Sequence, residues 1–572
     1  MSSRRLGVYI CYCGGNISDF VDCERVRAAV EGEEGVVIAR TPMFACSDAA
    51  QQEMIDDIHQ LGLDGMVVAS CSPTLHQLTF RGVAERAGLN PYLYTQVNLR
   101  EQCSWAHTDQ PEAATRKAIQ MVRAGIAKAR WSEPLEKIRV QTVPGVLVVG
   151  AGIAGLRTAV ALSDLGLAVT IVERSERAGG WVAGFGSMYP HDRSGAGLVA
   201  EALAEIGRRD NITLHTRAAL VEKSGSVGDL VVVLDVAGER VSLNVGAIVV
   251  ATGFDTYEPA EGEYGRGLAG VLTLPEYKGL LDGSEGPLVV DGHPVSSVAY
   301  IYCVGSRCES CEHGHTYCSR YCCAAAVHAS LVTHERVPGV RQYHLYRDMR
   351  TYGKYESLYT RARQQGSVFL EFDPQEPPSV EAEGGTLRVT LRDLLTTGKE
   401  LTFPADVVVL VTAMQPKRNE ALNEVLKLPV GLDGFFKEVH PKLRPVETVI
   451  DGVFIAGAAQ APRSSAESVA SALAAAAKSA ALLKKGSVQL EPLVAVVDPA
   501  ACTWCGLCAE VCPYGAIEKV LYDGKEVALV NEVICKGGGS CVPVCPYGAI
   551  QVRGSTDAQI RAMIEAMEIE HV

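Results

Sequence analysis

Cysteines at the spacing of iron ligands mark the C-terminal part of the chain. The first run, Cys502 to Cys512, has the form C-x2-C-x2-C-x3-C-P. Thiolates at this spacing give three sulfurs to one iron–sulfur cluster and the fourth to a neighbouring cluster. A second, similar run follows, so the repeat predicts electron transfer. The cysteines of the two runs are Cys502, Cys505, Cys508, Cys512, Cys535, Cys541 and Cys545.

The second run lacks one expected ligand, because Gly538 stands where the pattern has cysteine. The fourth cysteines of such ferredoxin-like repeats cross over between the clusters. The first cluster should therefore take Cys502, Cys505, Cys508 and Cys545, which leaves only Cys512, Cys535 and Cys541 for the second. We expect a 3Fe–4S cluster there, or a 4Fe–4S cluster with a non-cysteine ligand. An empty second site is the alternative.

A glycine-rich turn in the middle of the chain predicts a dinucleotide site. An apolar strand runs into Gly150, Gly152 and Gly155, and a helical stretch follows. The next strand, Ala168 to Val172, ends at Glu173, 18 residues beyond Gly155. Glycines at these positions allow the tight turn, the backbone approach to a pyrophosphate and the close packing of helix on strand. The helix N-terminus favours phosphate, and Glu173 is expected to bind the ribose.

Later segments indicate that the dinucleotide is FAD. An Ala-Thr-Gly segment and a segment ending in Gly457-Ala458 resemble those of the thioredoxin-reductase class of flavoproteins, although the usual second residue of the latter is aspartate. A degenerate fold without cofactor is the alternative. The expected FAD residues are Gly150, Gly152, Ile153, Ala154, Gly155, Glu173, Arg174, Gly180, Trp181, Ala251, Thr252, Gly253, Gly457 and Ala458.

A dense group of cysteines takes the place of a second nucleotide motif. The strand predicted at 297–304 is followed by no G-x-G-x-x-G, and six cysteines fall within 21 residues. We therefore expect an iron–sulfur site where this class of flavoprotein binds NAD(P)H, with zinc as the competing interpretation. The candidate ligands are Cys303, Cys308, Cys311, Cys318, Cys322 and Cys323.

The N-terminal 135 residues alternate strands and helices, which predicts an α/β domain. Several cysteines follow predicted strands, at the end of a parallel sheet where ligands bind. Cys23 lies on a predicted helix and is expected to be a packed thiol. The thiols expected to converge on a further cluster are Cys11, Cys13, Cys46, Cys71 and Cys103.

Composition limits the function classes. A chain of 572 residues suggests about three to four domains. The net charge of −14 argues against nucleic-acid binding. Residues 466–483 carry Glu467 and Lys478, which indicates a packed helix rather than a membrane span. Cysteines at cluster spacing and no apolar signal core predict a reducing cytoplasm.

The whole chain resembles the A subunit of heterodisulfide reductase. The resemblance rests on Cys-Tyr-Cys-Gly-Gly-Asn at 11–16, Asn-Leu-Arg-Glu-Gln-Cys-Ser-Trp at 98–105, Tyr-Cys-Ser-Arg-Tyr-Cys-Cys at 317–323 and His-Pro-Lys-Leu-Arg-Pro at 440–445. It implies a cytoplasmic FAD and iron–sulfur protein, with about four clusters, that works in a larger complex and in methanogens bifurcates electrons. Implied partners are B and C subunits, ferredoxin or a small subunit linked to a hydrogenase or dehydrogenase, around a homodimeric core.

Three departures from that family weaken the case for bifurcation. Residues 254–297 hold no cysteine, so the inserted ferredoxin domain of longer members is missing. Bifurcating members carry a lysine five residues after the Cys-Cys pair, where this chain has His328. Gly538 is the third departure. His328 is thus a candidate for tuning the flavin, with a packing histidine as the alternative, and a simple electron relay is as well supported as bifurcation.

The predicted fold is an α/β protein with a thioredoxin-reductase-like FAD domain between an N-terminal α/β domain and a two-cluster ferredoxin domain. The alternatives are a stand-alone NAD(P)H- or ferredoxin-dependent flavin reductase and a scaffold that has lost its flavin. The expected boundaries are 1–135 for the N-terminal domain, 145–483 for the FAD domain with its insertion at 303–323, 493–555 for the ferredoxin domain and 556–572 for an amphipathic C-terminal helix.

Overall fold

A computed structural model describes residues 4–283, 286–308 and 314–567. The chain forms two compact units, one of residues 1–139 with 489–572 and one of residues 140–488. The N-terminal and ferredoxin segments, predicted as separate domains, thus lie in one unit. Cys311 and residues 568–572 of the predicted C-terminal helix lie outside the described residues.

The N-terminal segment folds around a four-stranded parallel sheet. Its strands are, in spatial order, Val36–Arg40, Leu6–Ile10, Gly65–Ser70 and Tyr94–Asn98. The central strand Gly65–Ser70 is buried along its whole length, as the apolar sequence requires of a parallel sheet covered on both faces. The helices are Cys23–Val30, Asp48–Leu61, Pro73–Arg86 and Pro111–Arg130.

The ferredoxin segment of the same unit consists of short paired strands and small helices. Ala495–Val497 pairs with Ile550–Val552, and Ile517–Tyr522 pairs with Lys525–Val530, both antiparallel. The helices are Leu507–Glu510 and Asp557–Ala566, and a capping box at Thr556 and Gln559 begins the second.

The other unit contains two five-stranded parallel sheets, which confirms the predicted α/β class. The first sheet has the order Ile212–His215, Ala168–Val172, Gly145–Val149, Ala247–Val250 and Val453–Ile455. The second has the order Val271–Thr273, Val407–Thr412, Ser297–Val304, Arg341–Tyr346 and Val368–Glu371.

Helices and antiparallel strands complete this unit. The helices are Ile153–Asp164, Gly195–Ile206, Leu274–Gly283, Cys322–Arg336, Glu356–Gln364, Glu420–Leu426 and Ser465–Leu483. Two three-stranded antiparallel sheets are formed by Ala218–Ser226, Asp229–Val236 and Glu239–Val245, and by Ser379–Glu383, Thr386–Asp393 and Lys399–Ala405. Short pairs join Phe254–Thr256 to Met414–Pro416, Ser187–Met188 to Arg193–Ser194, and Val289–Val290 to His293–Pro294.

The alanine-rich helix Ser465–Leu483 packs in the core of the first sheet. Ala472 and Ala475 are fully buried there, and the Thr158 hydroxyl lies 3.4 Å from the Ala472 carbonyl oxygen. By length and composition alone, this helix is apolar enough to cross a membrane, and it is the one helix of the described residues that meets this criterion.

Candidate functional site

The glycine-rich turn has the close contacts that the sequence pattern predicts. Gly150 follows strand Gly145–Val149 with φ +106°, and a side chain there would meet the Ala251 carbonyl oxygen at 2.4 Å. A Cβ at Gly155 would lie 1.8 Å from the Gly150 carbonyl oxygen, so only glycine lets the helix pack on the strand. The backbone of Gly180 comes up against the Gly152 Cα, since a Cβ added at Gly180 would lie 3.2 Å from it.

Glu173 is held at the end of the neighbouring strand by three hydrogen bonds. Its Oε2 accepts from the Ala151 amide at 2.9 Å. Its Oε1 accepts from the Ser175 amide at 2.9 Å and from the Ser175 hydroxyl at 2.7 Å. These bonds fix the carboxylate beside the glycine turn, where a ribose hydroxyl can donate to its remaining lone pairs.

A cavity of about 450 Å³ opens at this turn. It is large enough for most of a dinucleotide in an open cleft. All the predicted FAD residues line it except Gly155 and Gly457, which instead pack against neighbouring backbone and Ala154. The lining members are Gly150, Gly152, Ile153, Ala154, Glu173, Arg174, Gly180, Trp181, Ala251, Thr252, Gly253 and Ala458.

Several cavity residues escaped the sequence analysis. Lys417, Arg418 and Asn419 follow a short strand, and the Asn419 amide donates to the Thr252 hydroxyl at 3.3 Å. Burial lowers the pKa of Lys417, with Arg174 as a further cause. Arg463 lines the cavity just before helix Ser465–Leu483, and burial lowers its pKa too. These cations lie at no fixed sequence spacing from the glycine turn. The adjacent basic residues at 417–418 were therefore the sequence feature that could have indicated them.

His328 lies in the wall of the same cavity. It is 4% exposed, and its Nε2 is 2.8 Å from the Asp192 carboxylate. Burial lowers the pKa of His328, and nearby Lys278 acts in the same direction while Asp192 opposes both. The imidazole is therefore mostly neutral near pH 7.

Four thiols of the second sheet come together beside the cavity. Cys303 lies at the end of strand Ser297–Val304, and Cys322 and Cys323 begin helix Cys322–Arg336. The charges of Cys318 and Cys323 act on Cys303, so these groups are electrostatic neighbours. Burial raises the pKa of Cys303 to about 11, and the hydrogen bond from Cys322 lowers the pKa of Cys323.

Cys308 and Cys311 are the other two candidate ligands of this segment. The Cys308 backbone amide donates to the His315 carbonyl oxygen at 3.0 Å, and Cys311 lies outside the described residues. The four grouped thiols are Cys303, Cys318, Cys322 and Cys323.

In the N-terminal segment, four of the five predicted ligands are neighbours. The Cys11 sulfur accepts from the amides of Cys13 at 3.2 Å and Ala45 at 3.3 Å. Cys13 and Cys46 act electrostatically on Cys11, and Cys13 acts on Cys71. These thiols follow different strands of one parallel sheet, so the sheet topology brings them to one edge.

Cys103, the fifth predicted ligand, lies in the core of this segment. Its side chain is fully buried in the apolar core, and its thiol donates to the Ala114 carbonyl oxygen at 3.1 Å. This contact directs the thiol towards helix Pro111–Arg130. Cys23 is buried in the same core, where burial raises its pKa to about 12.

The ferredoxin segment has the crossed arrangement that the spacing predicts. One small cavity is lined by all four thiols expected for the first cluster, namely Cys502, Cys505, Cys508 and Cys545. Backbone amides donate to these sulfurs, from Ala528 to Cys502 and from Ala549 to Cys545, both at 3.3 Å. Among the described residues that line this cavity, none has a charged side chain.

The second ferredoxin site groups the remaining three thiols. Cys535 and Cys512 act electrostatically on Cys541, and burial raises the pKa of Cys541. The Cys535 sulfur accepts from the Ala495 amide at 3.4 Å. No heavy atom lies within 4 Å of the position that a Cβ at Gly538 would take. A side chain at position 538 would therefore have free space around its Cβ.

Over the ranges that the structure describes, no three His, Cys, Asp or Glu side chains converge tightly enough to hold one metal ion. An iron–sulfur cluster contains several iron atoms, so its thiolates stand farther apart than the ligands of a single zinc ion.

The family comparisons match two parts of the chain. Residues 501–549 match the 4Fe-4S dicluster domain, and residues 148–200 match the NAD(P)-binding Rossmann-like domain. The thioredoxin reductase of T. acidophilum covers 60% of this chain and 99% of its own, with 16% identity and a TM-score of 0.40.

Curated relatives match almost the whole chain. An iron-sulfur A subunit of CoB–CoM heterodisulfide reductase from Methanopyrus kandleri is 36% identical, over 91% of this chain and 92% of its own. The A subunit of H(2):CoB-CoM heterodisulfide,ferredoxin reductase from Methanothermobacter thermautotrophicus is also 36% identical, over 90% and 91%. The A subunit of ferredoxin/F(420)H(2)-dependent CoB-CoM heterodisulfide reductase from Methanosarcina acetivorans is 35% identical, over 90% and 75%.

Proposed function

The chain belongs to the family of heterodisulfide reductase A subunits, and we propose that it relays electrons between FAD in the 450 Å³ cavity and cysteine-held clusters that lead to partner subunits. It is an oxidoreductase component with a flavin and iron–sulfur clusters. A stand-alone NAD(P)H-dependent reductase is not favoured. Bound FAD supplies an exchange between two-electron and one-electron chemistry.

One observation supports this proposal above the others. Helix Cys322–Arg336 begins with two of the grouped thiols, and its Ala325 and His328 line the cavity. Residues three apart lie on one side of a helix, so Cys322, Ala325 and His328 form a continuous row. A single rigid element therefore places a cluster site directly beside the flavin cavity, as one-electron exchange requires.

The residues that line the cavity have the chemistry that FAD binding requires. Only glycine fits at 150 and 155, Glu173 is fixed as an acceptor, and the helix that begins at Ile153 presents its N-terminus to the turn. Lys417 and Arg418 would add positive charge for the phosphates. Ala458 replaces the aspartate usual in this class of flavoprotein, so one carboxylate contact is absent from the flavin end.

We propose about four clusters in all. The first uses the N-terminal thiols and the second the thiols beside the cavity. The third and fourth occupy the ferredoxin segment, with the fourth of 3Fe–4S type or bound by a non-cysteine ligand at the Gly538 position. The proposed ligands are Cys11, Cys13, Cys46 and Cys71; Cys303, Cys318, Cys322 and Cys323; Cys502, Cys505, Cys508 and Cys545; and Cys512, Cys535 and Cys541.

The proposed partners are those of the family. They are proteins similar to the B and C subunits of heterodisulfide reductase, and ferredoxin or a small subunit linked to a hydrogenase or dehydrogenase. We place this complex in the cytoplasm, around a homodimer of the chain. Support comes from the relatives' names, which describe one component of a larger reductase and include ferredoxin.

Bifurcation is the second candidate, and one observation favours it. Lys278 lines the cavity and acts on His328, so a partly buried ammonium is present although the family's lysine position holds histidine. Its Nζ donates to the Ser187 carbonyl oxygen at 2.6 Å and lies 3.4 Å from the Asp282 carboxylate. That carboxylate neutralises much of its charge, which favours the simple relay.

A redox titration of the anaerobically purified full chain tests the proposal. For a relay, the flavin should accept electrons in two separable one-electron steps, followed by its absorbance and by EPR. A single two-electron step would instead support bifurcation. A preparation with neither flavin nor iron, or rapid NADH oxidation by the isolated chain, would contradict both candidates.

A further inference from the structure

Three arginines surround the thiols beside the flavin cavity. Arg307 follows Cys303 after a turn in which the Ser306 amide donates to the Cys303 carbonyl oxygen at 3.1 Å. Arg347 and Arg350 come from the segment after strand Arg341–Tyr346. The Arg347 guanidinium donates to the Arg307 carbonyl oxygen at 2.8 Å, which holds the two segments together.

Arg307 is the more enclosed of the two arginines that contact Asp348. Its side chain is 23% exposed, and its Nη2 donates to the Asp348 carboxylate at 2.6 Å. Arg350 is 46% exposed and lies 3.4 Å from the same carboxylate. The Asp348 carbonyl oxygen is 4.0 Å from the Cys323 sulfur, so Asp348 contacts both Arg307 and a thiol of the site.

The Arg307 charge reaches thiols on both sides of the site. Its guanidinium lies beside the Cys303 thiol. On the other side it donates to the Asp348 carboxylate, and the carbonyl oxygen of Asp348 contacts the Cys323 sulfur. One largely enclosed cation therefore stabilises negative charge on two of the four proposed ligands. With three guanidinium groups and one carboxylate, the described surroundings of these sulfurs are net positive.

We propose that Arg307 raises the reduction potential of the cluster held by Cys303, Cys318, Cys322 and Cys323, and so makes it the acceptor for electrons from the reduced flavin. This inference rests on the proposed function. In the step concerned, the cluster gains one electron from the flavin and no bond forms or breaks. The cluster becomes more negative by one charge, which a nearby fixed cation stabilises.

Redox titrations of the cluster-loaded full chain, followed by EPR, test this role. In Arg307→Gln, the equilibrium constant for reduction of this cluster should fall about tenfold, equivalent to 59 mV for a one-electron couple. Arg307→Lys keeps the charge and should recover most of the shift. Arg341→Gln is the matched control, because Arg341 is exposed at the opposite end of the adjoining strand and should leave the potential unchanged.

A second variant should shift the reduction potential in the opposite direction. It tests the inference even if Arg307→Gln fails to assemble its cluster. Asp348→Asn removes an exposed carboxylate that partly neutralises Arg307, so it should raise the potential of the same cluster. An unchanged potential in a cluster-loaded Arg307→Gln, or in Asp348→Asn, overturns the inference and leaves the proposed function intact. Absence of any cluster at this site in the wild type would overturn the proposed function instead.

Discussion

The sulfurs beside the flavin cavity have arginine side chains around them as well as a backbone amide donor, whereas the first ferredoxin site has amide donors and no charged side chain in its described lining. Arg307 acts on both Cys303 and Cys323. Cys502 and Cys545 instead receive the amides of Ala528 and Ala549. Both kinds of contact stabilise negative charge on a cluster, and both are known determinants of its potential.

The difference between these two sites concerns how easily each can be altered. An amide donor belongs to the backbone, so its position follows from the fold whatever side chain the residue carries. A guanidinium can be removed by one substitution without loss of the fold. We therefore expect the site beside the cavity to be the adjustable one, and the ferredoxin site to keep its potential among variants.

The largest effect should come from removing ligands at the adjustable site. Cys322→Ser with Cys323→Ser should abolish that cluster and lower the iron content by about four atoms per chain. The ferredoxin signals in the EPR spectrum should stay, because their ligands are separate. Cys23→Ser is the control, since Cys23 is a core thiol. Unchanged iron content in the double variant would show that these thiols bind no cluster.

A substitution at the second ferredoxin site should add a ligand. In Gly538→Cys, the new side chain has open space around it, and the site would then offer four thiols. We expect one additional iron atom per chain and conversion of a 3Fe–4S spectrum to a 4Fe–4S spectrum, measured by iron analysis and EPR. If the wild type already holds four irons there, both measurements will stay the same and the 3Fe assignment is wrong.

The two regions should also differ in the pH dependence of their stability. His344 is fully buried between the rings of Tyr300 and Phe369, and burial lowers its pKa to about 3. The unfolded chain, with a histidine pKa of about 6.5, therefore binds a proton first as the pH falls. The contribution of neutral His344 to the free energy of unfolding is fully present above pH 6.5 and falls as the pH drops below it. At pH 5.5 the free energy of unfolding should be lower by about 1.4 kcal/mol.

Denaturant unfolding at pH 7.5 and 5.5 measures this loss. His344→Phe should flatten the dependence for the unit of residues 140–488. His293→Asn should not, because His293 is exposed. The described ferredoxin residues contain no histidine, so they contribute no such step of their own between these pH values. Equal slopes in wild type and His344→Phe would rule out a neutral buried histidine.

The smallest effect is expected at the cavity wall. His328→Lys places a charge that persists to about pH 10 beside the flavin, but Asp192 would pair with it. We expect less than about a tenfold gain in the equilibrium constant for flavin reduction, measured by anaerobic titration. His328→Asn separates the loss of the ring from the gain of charge. If the equilibrium constant for flavin reduction rises equally in both variants, the added charge does not cause the increase.

Compact motifs allowed reliable prediction from the sequence, and dispersed residues did not. The strand, glycine turn and helix around Gly150 are local in sequence, so their arrangement follows from backbone geometry. The crossed ligand sharing that includes Cys545 could be predicted for the same reason, because the repeat itself imposes it. Both sets lie together in the structure.

The dispersed ligands depended on features that spacing does not show. Cys103 follows a strand of the N-terminal sheet as Cys71 does, yet a turn directs it into the core. Lys417 and Arg307 reach their sites through loops whose course is set by tertiary packing. Neither cation belongs to a pattern with fixed intervals, so no sequence rule could connect it to a glycine turn or a thiol.

The helix Cys322–Arg336 limits how this segment of the gene can vary in length. An α-helix turns by about 100° per residue. One residue inserted between Cys323 and His328 would rotate the following side chains by that angle and would turn His328 away from the cavity. Insertions and deletions between Cys323 and His328 should therefore be eliminated by selection.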